Sequence, residues 1–176
     1  MVIRDKHDCR KHSERLMATR QHPYHFVDSG LPNVYLSGVK YWVCKKCRKQ
    51  SAEIPAVERL LNLLARDIVR SDAPLTGREI RFLRKRLGLP SSKFAEFTGV
   101  SIEQVSRWEN GHNPPGPPAD KLIRMMYCHL SGDKELQNLL KKQLARLLAA
   151  WAVNGQPARI QARLHNSEWE SEAVPA

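Results

Sequence analysis

From Ala56 onward, apolar residues recur at three- and four-residue spacing, the period of an α-helix with one buried face. The first predicted helix runs from Ala56 to about Arg70, and the segment 71–74 ends it as a hinge or linker. The proline-rich stretch 113–118 predicts a rigid extended connection, because proline cannot continue a helix. Five further helices are predicted, at 75–89, 91–97, 102–109, 119–130 and 134–153.

The first 55 residues have a different pattern. Three segments rich in β-branched and aromatic residues, 24–27, 34–36 and 39–43, are separated by Gly, Pro and Asn, which is typical of short strands. The predicted fold is therefore mainly α, with a small β-rich N-terminal module. The predicted divisions are a module at 1–55, a connecting helix and linker at 56–73, a helical domain at 74–131, a C-terminal amphipathic helix at 132–154 and a tail without regular structure at 155–176.

The net charge of +11 and pI near 9.8 favour a polyanionic partner, since Lys and Arg displace counterions from a phosphate backbone. Residues 1–55 carry 11 basic and 5 acidic side chains, a net of +6, and residues 74–131 carry 9 and 5, a net of +4. Neither a membrane-spanning run nor a signal peptide is evident, so we expect a cytoplasmic protein with no membrane partner.

The helices predicted at 75–89, 91–97 and 102–109 have the spacing of a helix-turn-helix unit. In the second helix Phe94, Ala95 and Phe97 are expected to point inward, and Gly99 makes the tight turn that follows. A capping box from Ser101 to Gln104 begins the third helix. Val105 and Trp108 anchor that helix in the core and turn Glu103, Gln104, Ser106 and Arg107 outward, while the arginines of the first helix form a basic exterior.

This stretch, with its Gly99-Val-Ser101 turn and Val105-Ser-Arg-Trp-Glu-Asn-Gly111 segment, resembles the Xre/Cro family of helix-turn-helix regulators. The resemblance implies double-stranded DNA as a partner and a helix that enters the major groove. It gives Arg107 the role of reading a guanine, and places Ile102, Glu103 and Gln104 at the groove. The predicted DNA-facing residues also include Ser91, Ser101, Ser106 and Asn110. The alternative is a helical bundle that uses the same faces for protein contacts.

Four cysteines, at 9, 44, 47 and 128, raise the question of a metal site, because in a reducing compartment close pairs more often bind metal than form disulfides. Cys44 and Cys47 form one knuckle, and Cys9 and His12 have the same two-residue gap. Together they predict one structural zinc ion, with His7, His22 and His25 as rivals to His12. Four protein ligands would close the ion to substrate, so no enzymatic activity is expected. Cys128 is expected to be an inert core thiol.

A zinc module, a connecting helix and an Xre-type domain together resemble the MqsA-type antitoxins with their YgiT-type zinc finger, over about residues 9–130. The resemblance implies a DNA-binding homodimer that represses its own operon. It also implies an alternative function, an antitoxin that neutralises a ribonuclease toxin by protein contact.

The function predicted first is a sequence-specific transcription regulator, a repressor that binds a palindromic operator as a dimer. The apolar stripe from Leu136 to Trp151 would serve either as the dimer interface or as packing against its own domain.

Overall fold

The computed structural model describes residues 13–154, 161–165 and 168–172, with side-chain positions up to residue 146. Its N-terminal module contains a three-stranded antiparallel sheet in the order β1-β4-β5 and a short hairpin of β2 and β3. The strands are β1 (Ser13–Met17), β2 (Tyr24–His25), β3 (Tyr35–Leu36), β4 (Lys40–Cys44) and β5 (Gln50–Glu53).

The sheet has one inner and one outer face. In the register that pairs Leu16 with Tyr41 and Tyr41 with Ala52, Tyr41 and Ala52 pack against the core. Tyr41 also contacts Tyr24 of the hairpin, with ring centroids 5.5 Å apart. The side chains on this face of the sheet thus pack with the hairpin in one hydrophobic core.

Six helices follow the sheet, and their bounds confirm the mainly α fold with a small β module. They are α1 (Val57–Arg70), α2 (Gly77–Arg86), α3 (Ser91–Thr98), α4 (Ile102–Glu109), α5 (Pro117–Leu130) and α6 (Lys134–Asn154). None of the helices in the described ranges combines the length and the apolar character needed to cross a bilayer.

One continuous core connects the module and the helices. Tyr24 and Phe26 from the hairpin, Ile68 from α1 and Phe94 from α3 belong to the same buried cluster. The first turns of α6 also join it, since Leu136 is only 1% exposed and Leu139 and Leu140 pack against the cluster. The beginning of the C-terminal stripe therefore packs on its own domain.

The connection between α1 and α2 is held mainly by Arg124, and the Leu75 amide adds a buried hydrogen bond to Asp120 at 2.6 Å. The Arg124 guanidinium donates to the carbonyl oxygens of Ile68, Ser71 and Ala73 at 2.5, 2.7 and 2.6 Å, and its Nε donates to Asp120 at 2.6 Å. These bonds satisfy carbonyls that a helix leaves free at its C-terminus. The segment 71–74 ends α1 as predicted, but this clamp fixes it in place, so it does not act as a loose hinge.

Ion pairs also fasten α1 to its neighbours. Arg66 contacts Asp133 through a two-pronged hydrogen bond at 2.6 and 3.1 Å, at the turn between α5 and α6. Arg86 at the end of α2 donates to Glu58 at 2.9 Å and to Asn62 at 2.7 Å. The connecting helix is thus bonded to α2 near its beginning and to the turn between α5 and α6 near its end.

Several predictions about the elements were wrong. Phe97 is 52% exposed, and Thr98 takes the inward position that we expected of it, with its hydroxyl donating to the Phe94 carbonyl at 2.8 Å. Helix α5 begins at Pro117, because a proline in the first turn gives up no intrahelical hydrogen bond. Strands β1 and β5 had not been predicted. The tail contains a hairpin of β6 (Gln161–His165) and β7 (Glu168–Glu172), where no regular structure was expected.

Candidate nucleic-acid interface

Helices α3 and α4 are joined by a turn that only a residue with positive φ allows. Gly99 has φ of 68°, in the left-handed region that glycine occupies without strain. Its amide donates to Glu96, and the Val100 amide donates to Ala95 at 3.1 Å, which closes the end of α3. Helix α4 then begins at Ile102, as the sequence predicted.

Helix α4 begins at a side-chain cap. The Ser101 hydroxyl oxygen accepts from the Gln104 amide at 3.2 Å, as the predicted capping box requires. Only this half of the predicted box forms among the described residues: the side chain that bonds back to Ser101 is the carboxylate of Glu103 and not the amide of Gln104. Hydrogen bonds from its own amide and from Ser101, with the charge of Arg107 adding to them, hold the pKa of Glu103 below its usual range. A complete reciprocal box instead begins α2, at Thr76 and Glu79.

The two faces of α4 differ completely in exposure. Val105 is fully buried and Trp108 is 4% exposed, so they anchor the inner face as predicted. At 100° per residue, the opposite side is an arc of about 200°. The predicted DNA-facing residues within and just after α4 lie on this arc and are exposed, apart from the half-buried Gln104; they are Ile102, Glu103, Gln104, Ser106, Arg107 and Asn110. Ser101, the N-cap, is also exposed but precedes the helix.

A buried carboxylate fixes the C-terminal end of α4. Glu109 is 6% exposed and accepts from Arg84 at 2.5 and 3.1 Å and from Arg81 at 3.1 Å. Burial alone would raise the pKa of Glu109, but hydrogen bonds and charge from Arg84 and then Arg81 hold it below its usual range. The carboxylate is therefore ionised at neutral pH and ties α4 to α2.

Sequence reasoning missed this network and assigned Arg81 and Arg84 to a basic exterior. Arg84 has a side chain only 11% exposed, and it also donates to the Leu89 carbonyl at 2.8 Å. The signal was present in the sequence, because Glu109 lies within one turn of Val105 and Trp108 on the inner side of α4. A carboxylate at an inward position requires a cationic partner.

The same end of α4 approaches the first turn of α2 very closely. A Cβ added to Gly77 would lie 2.3 Å from the Trp108 carbonyl oxygen and 2.8 Å from that of Glu109. Asn110 adds a further link, since its side-chain oxygen accepts from Arg81 at 3.0 Å and its amide donates to Ser106 at 3.3 Å. Asn110 thus has a structural role beside its predicted place at the interface.

Helix α3 begins at the half-buried Ser91. Its N-cap is Pro90, whose side chain makes no capping bond. The first amides of a helix carry a partial positive charge and can donate to an anion such as a phosphate. The exposed cationic side chains of helices α2 to α5 are Arg78, Lys85, Lys93, Arg107 and Lys121.

The structure tests the predicted metal ligands only in part. Cys44 ends β4 and is 2% exposed, and Cys47 is exposed at the end of the turn 45–47. The Arg48 amide donates to the Cys44 carbonyl at 2.8 Å, which closes this turn. Cys9 and His12, like His7, lie outside the described residues. Within those residues, no group of three metal-ligating side chains comes together.

Of the rival histidines, His25 already has other partners. Its ring donates to the Pro32 carbonyl at 2.9 Å and stacks on Tyr35, with centroids 4.6 Å apart. His22 is exposed in the turn before β2. Cys128 is 4% exposed in the core, as predicted, and burial raises the pKa of its thiol.

Comparison with known proteins supports the helix-turn-helix assignment. A helix-turn-helix family model matches residues 80–126, which include most of α2, all of α3 and α4, and most of α5. A helix-turn-helix of this kind is the DNA-binding unit of transcription regulators. No curated protein matches the chain. The resemblance to a zinc finger of the YgiT type, and the toxin partner that it implies, stay predictions.

Proposed function

We propose that this protein is a sequence-specific transcription repressor that inserts α4 into the major groove of a palindromic operator. The observation that carries the proposal is the exposed arc of α4, which includes Arg107, on a helix held rigidly from behind. A base-reading side chain must be free while its backbone is fixed, because discrimination between bases depends on geometry. The buried anchors and the Glu109 network supply that fixed backbone.

The other contacts follow from the same placement. The first amides of α3, at Ser91 and Ser92, would donate to a backbone phosphate, which positions the protein without reading sequence. The guanidinium of Arg107 would bind guanine O6 and N7 in two bonds, and Ile102, 50% exposed at the start of α4, suits contact with a thymine methyl group.

The first experiment selects high-affinity duplexes from a random pool and compares Arg107→Ala with Arg20→Ala. Arg20 is an exposed arginine outside the helix-turn-helix and serves as the matched control. We expect Arg107→Ala to cost about 1–3 kcal/mol on the selected duplex and to relax preference at one base pair, while Arg20→Ala leaves the preference unchanged. Equal effects of the two variants on sequence preference would contradict the proposal.

The footprint on the selected duplex tests the dimer. Two helix-turn-helix units read half-sites about 10 base pairs apart, centre to centre, so we expect protection with two-fold symmetry. Affinity should also fall steeply with salt because phosphate contacts release counterions. An asymmetric footprint covering a single half-site would count against the dimeric repressor.

We also propose that the N-terminal module holds one structural zinc ion through Cys9, His12, Cys44 and Cys47. The supporting observation is the register of the sheet, in which Ser13 pairs directly with Cys44. Paired Cα atoms in antiparallel strands are about 5 Å apart, and consecutive Cα atoms about 3.8 Å. His12 is therefore next in sequence to a residue whose backbone lies beside that of Cys44, the first cysteine of the knuckle.

Metal analysis of the purified full chain tests this site. We expect one zinc per chain in the natural protein, and loss of that zinc with a lower melting temperature in Cys44→Ser and His12→Ala. His22→Ala, which changes a rival outside the proposed set, should keep its zinc. A natural protein that contains no zinc after purification without chelators, or an unchanged His12→Ala, would show that this ligand set is wrong.

A further inference from the structure

The outer side of α5 carries an apolar surface that the described part of the chain leaves exposed. Leu122, Met125 and Leu130 are 41%, 37% and 43% exposed, and the half-buried Met126 lies between them. Helical proteins normally bury such residues, and contiguous apolar patches on a soluble protein mark interaction sites. On the inner side of the same helix Ile123 is fully buried, so α5 has apolar residues on both sides.

The exposed apolar residues of α5 from Pro118 onward form one band, and the exposed Lys121 lies just outside its edge. At 100° per residue, they span an arc of about 140°, with the exposed Pro118 and His129 inside it. This band, which we call the α5 arc, contains no Asp, Glu, Lys or Arg; its members are Pro118, Leu122, Met125, Met126, His129 and Leu130. The exposed Phe97 lines a cavity of about 310 Å³ with Leu87, Leu89 and the half-buried Arg86, next to Leu130 and Ser131, and this cavity extends the surface beyond the helix.

The lack of formal charge on this arc makes it a poor surface for the anionic partners that the rest of the surface favours. The chain carries a net charge of +11, so DNA or an acidic protein would be bound at its basic surfaces. Two copies of this chain repel each other wherever Lys and Arg face each other. A surface without formal charge is where two copies can meet at the lowest electrostatic cost, and an isologous contact between identical apolar patches needs no opposite charge.

We propose that the α5 arc is the surface through which two copies of this chain form the DNA-binding dimer. The proposal rests on the proposed function, because a palindromic operator requires two recognition helices related by a two-fold axis. It also bears on the two roles that the sequence left open for α6, whose later stripe residues Leu147, Leu148 and Trp151 lie beyond the described side chains. Leu136, Leu139 and Leu140 are used inside their own domain, whereas Leu122 and Met125 remain available for a second copy.

The test measures the oligomeric state of the full chain by sedimentation and the affinity for single and paired half-sites. The variant is the double substitution Leu122→Glu and Met125→Glu, which places two carboxylates on the arc of each copy. We expect the dimer dissociation constant to rise about 100-fold or more, because burying charge in an apolar contact costs the energy of an interface hot spot. Affinity for a single half-site should stay within about threefold of the natural protein, since α4 is unchanged.

Two control variants make the result specific. Leu63→Glu changes a residue of α1 that is 51% exposed, and Leu144→Glu changes one of α6 that is 39% exposed. Both should remain dimeric. If Leu144→Glu dissociates the dimer while the double variant does not, α6 is the interface and the proposal is wrong. Because all substituted positions are exposed, thermal melts should show folded proteins. A milder pair, Leu122→Gln and Met125→Gln, repeats the test if the double glutamate variant melts early.

Failure of this inference can be distinguished from failure of the proposed function. A natural protein that is monomeric at every concentration, yet binds one half-site in a manner that depends on Arg107, would overturn the α5 dimer and leave DNA recognition intact. A dimer that depends on Leu122 and Met125 but binds no duplex would support the α5 arc and contradict the repressor.

Discussion

Replacing Glu109 by Gln removes the one buried carboxylate that connects the candidate recognition helix to α2. The substitution keeps the size of the side chain and one oxygen acceptor, but it removes the charge. In the natural protein this carboxylate accepts three hydrogen bonds from Arg84 and Arg81, between 2.5 and 3.1 Å. The change therefore isolates the electrostatic contribution of the network.

The expected loss follows from the burial of the partner. Arg84 is 11% exposed, so without Glu109 its charge loses the only carboxylate bonded to it among the described residues. Removing one member of a buried pair costs about 3–5 kcal/mol. We expect about 3 kcal/mol, the lower end, because Gln keeps an acceptor and Arg84 keeps its bond to the Leu89 carbonyl. For a chain of this size that corresponds to a melting temperature lower by roughly 6–12 °C.

The loss should depend on pH in a definite direction. The pKa of Glu109 is lower in the folded chain than in the unfolded one, although burial opposes this, because Arg84 and Arg81 bind the charged form. The stabilisation is therefore complete above the unfolded pKa and disappears as pH falls through the folded pKa. The difference between the natural protein and Glu109→Gln should be full at pH 7 and narrow progressively at acidic pH.

Urea unfolding at several pH values measures this difference. The matched control is Glu58→Gln, whose carboxylate also pairs with an arginine but is 72% exposed, so the expected loss is at most about 1 kcal/mol. Adding Arg84→Met to Glu109→Gln should recover part of the stability, because it removes the unpaired buried charge. If Glu109→Gln loses no more stability than Glu58→Gln, the reasoning about the buried network is refuted.

Two further predictions concern the other contacts that hold α4 and α1. Gly77→Ala should destabilise the fold by about 1–3 kcal/mol in the same unfolding assay, because the new Cβ would lie 2.3 Å from the Trp108 carbonyl oxygen. In the control Gly116→Ala the nearest atom is 3.9 Å away, so the loss of stability should be much smaller. Equal losses of stability in the two variants would disprove the close approach. Arg124→Gln should remove hydrogen-exchange protection from the amides in the last turn of α1 and lower stability by about 3 kcal/mol. The control Lys93→Gln, at an exposed lysine, should change neither the protection nor the stability. Unaltered protection in Arg124→Gln would mean that the Arg124 clamp is not formed in solution.

Helix α4 could be predicted from the sequence to the residue, from Ile102 to Glu109, because every local signal agrees there. Ser101 supplies a cap, Val105 and Trp108 have helical spacing, and Gly99 marks the turn before it. Agreement between propensity, capping and periodicity is what makes a segment readable from sequence alone. The exposed arc of the candidate site could be predicted for the same reason.

The features that sequence did not reveal depend on partners far away in the chain. Strand β1 has the sequence Ser-Glu-Arg-Leu-Met and becomes a strand only by pairing with β4, more than 20 residues later. The clamp by Arg124 joins residues more than 50 positions apart. Phe97 was assigned inward by its apolar character, but the helix phase puts Thr98 inside, and the hydroxyl bonds to the turn before it.

The most direct test of DNA reading by α4 is the affinity of the natural protein and of Arg107→Ala for a selected duplex in which single guanines are replaced by 7-deazaguanine. This base lacks the N7 acceptor but keeps normal pairing. At one guanine in each half-site, the natural protein should lose affinity by about 1–3 kcal/mol, and Arg107→Ala should show no further loss. If every such replacement weakens both proteins equally, or weakens neither, Arg107 does not read a guanine in the major groove.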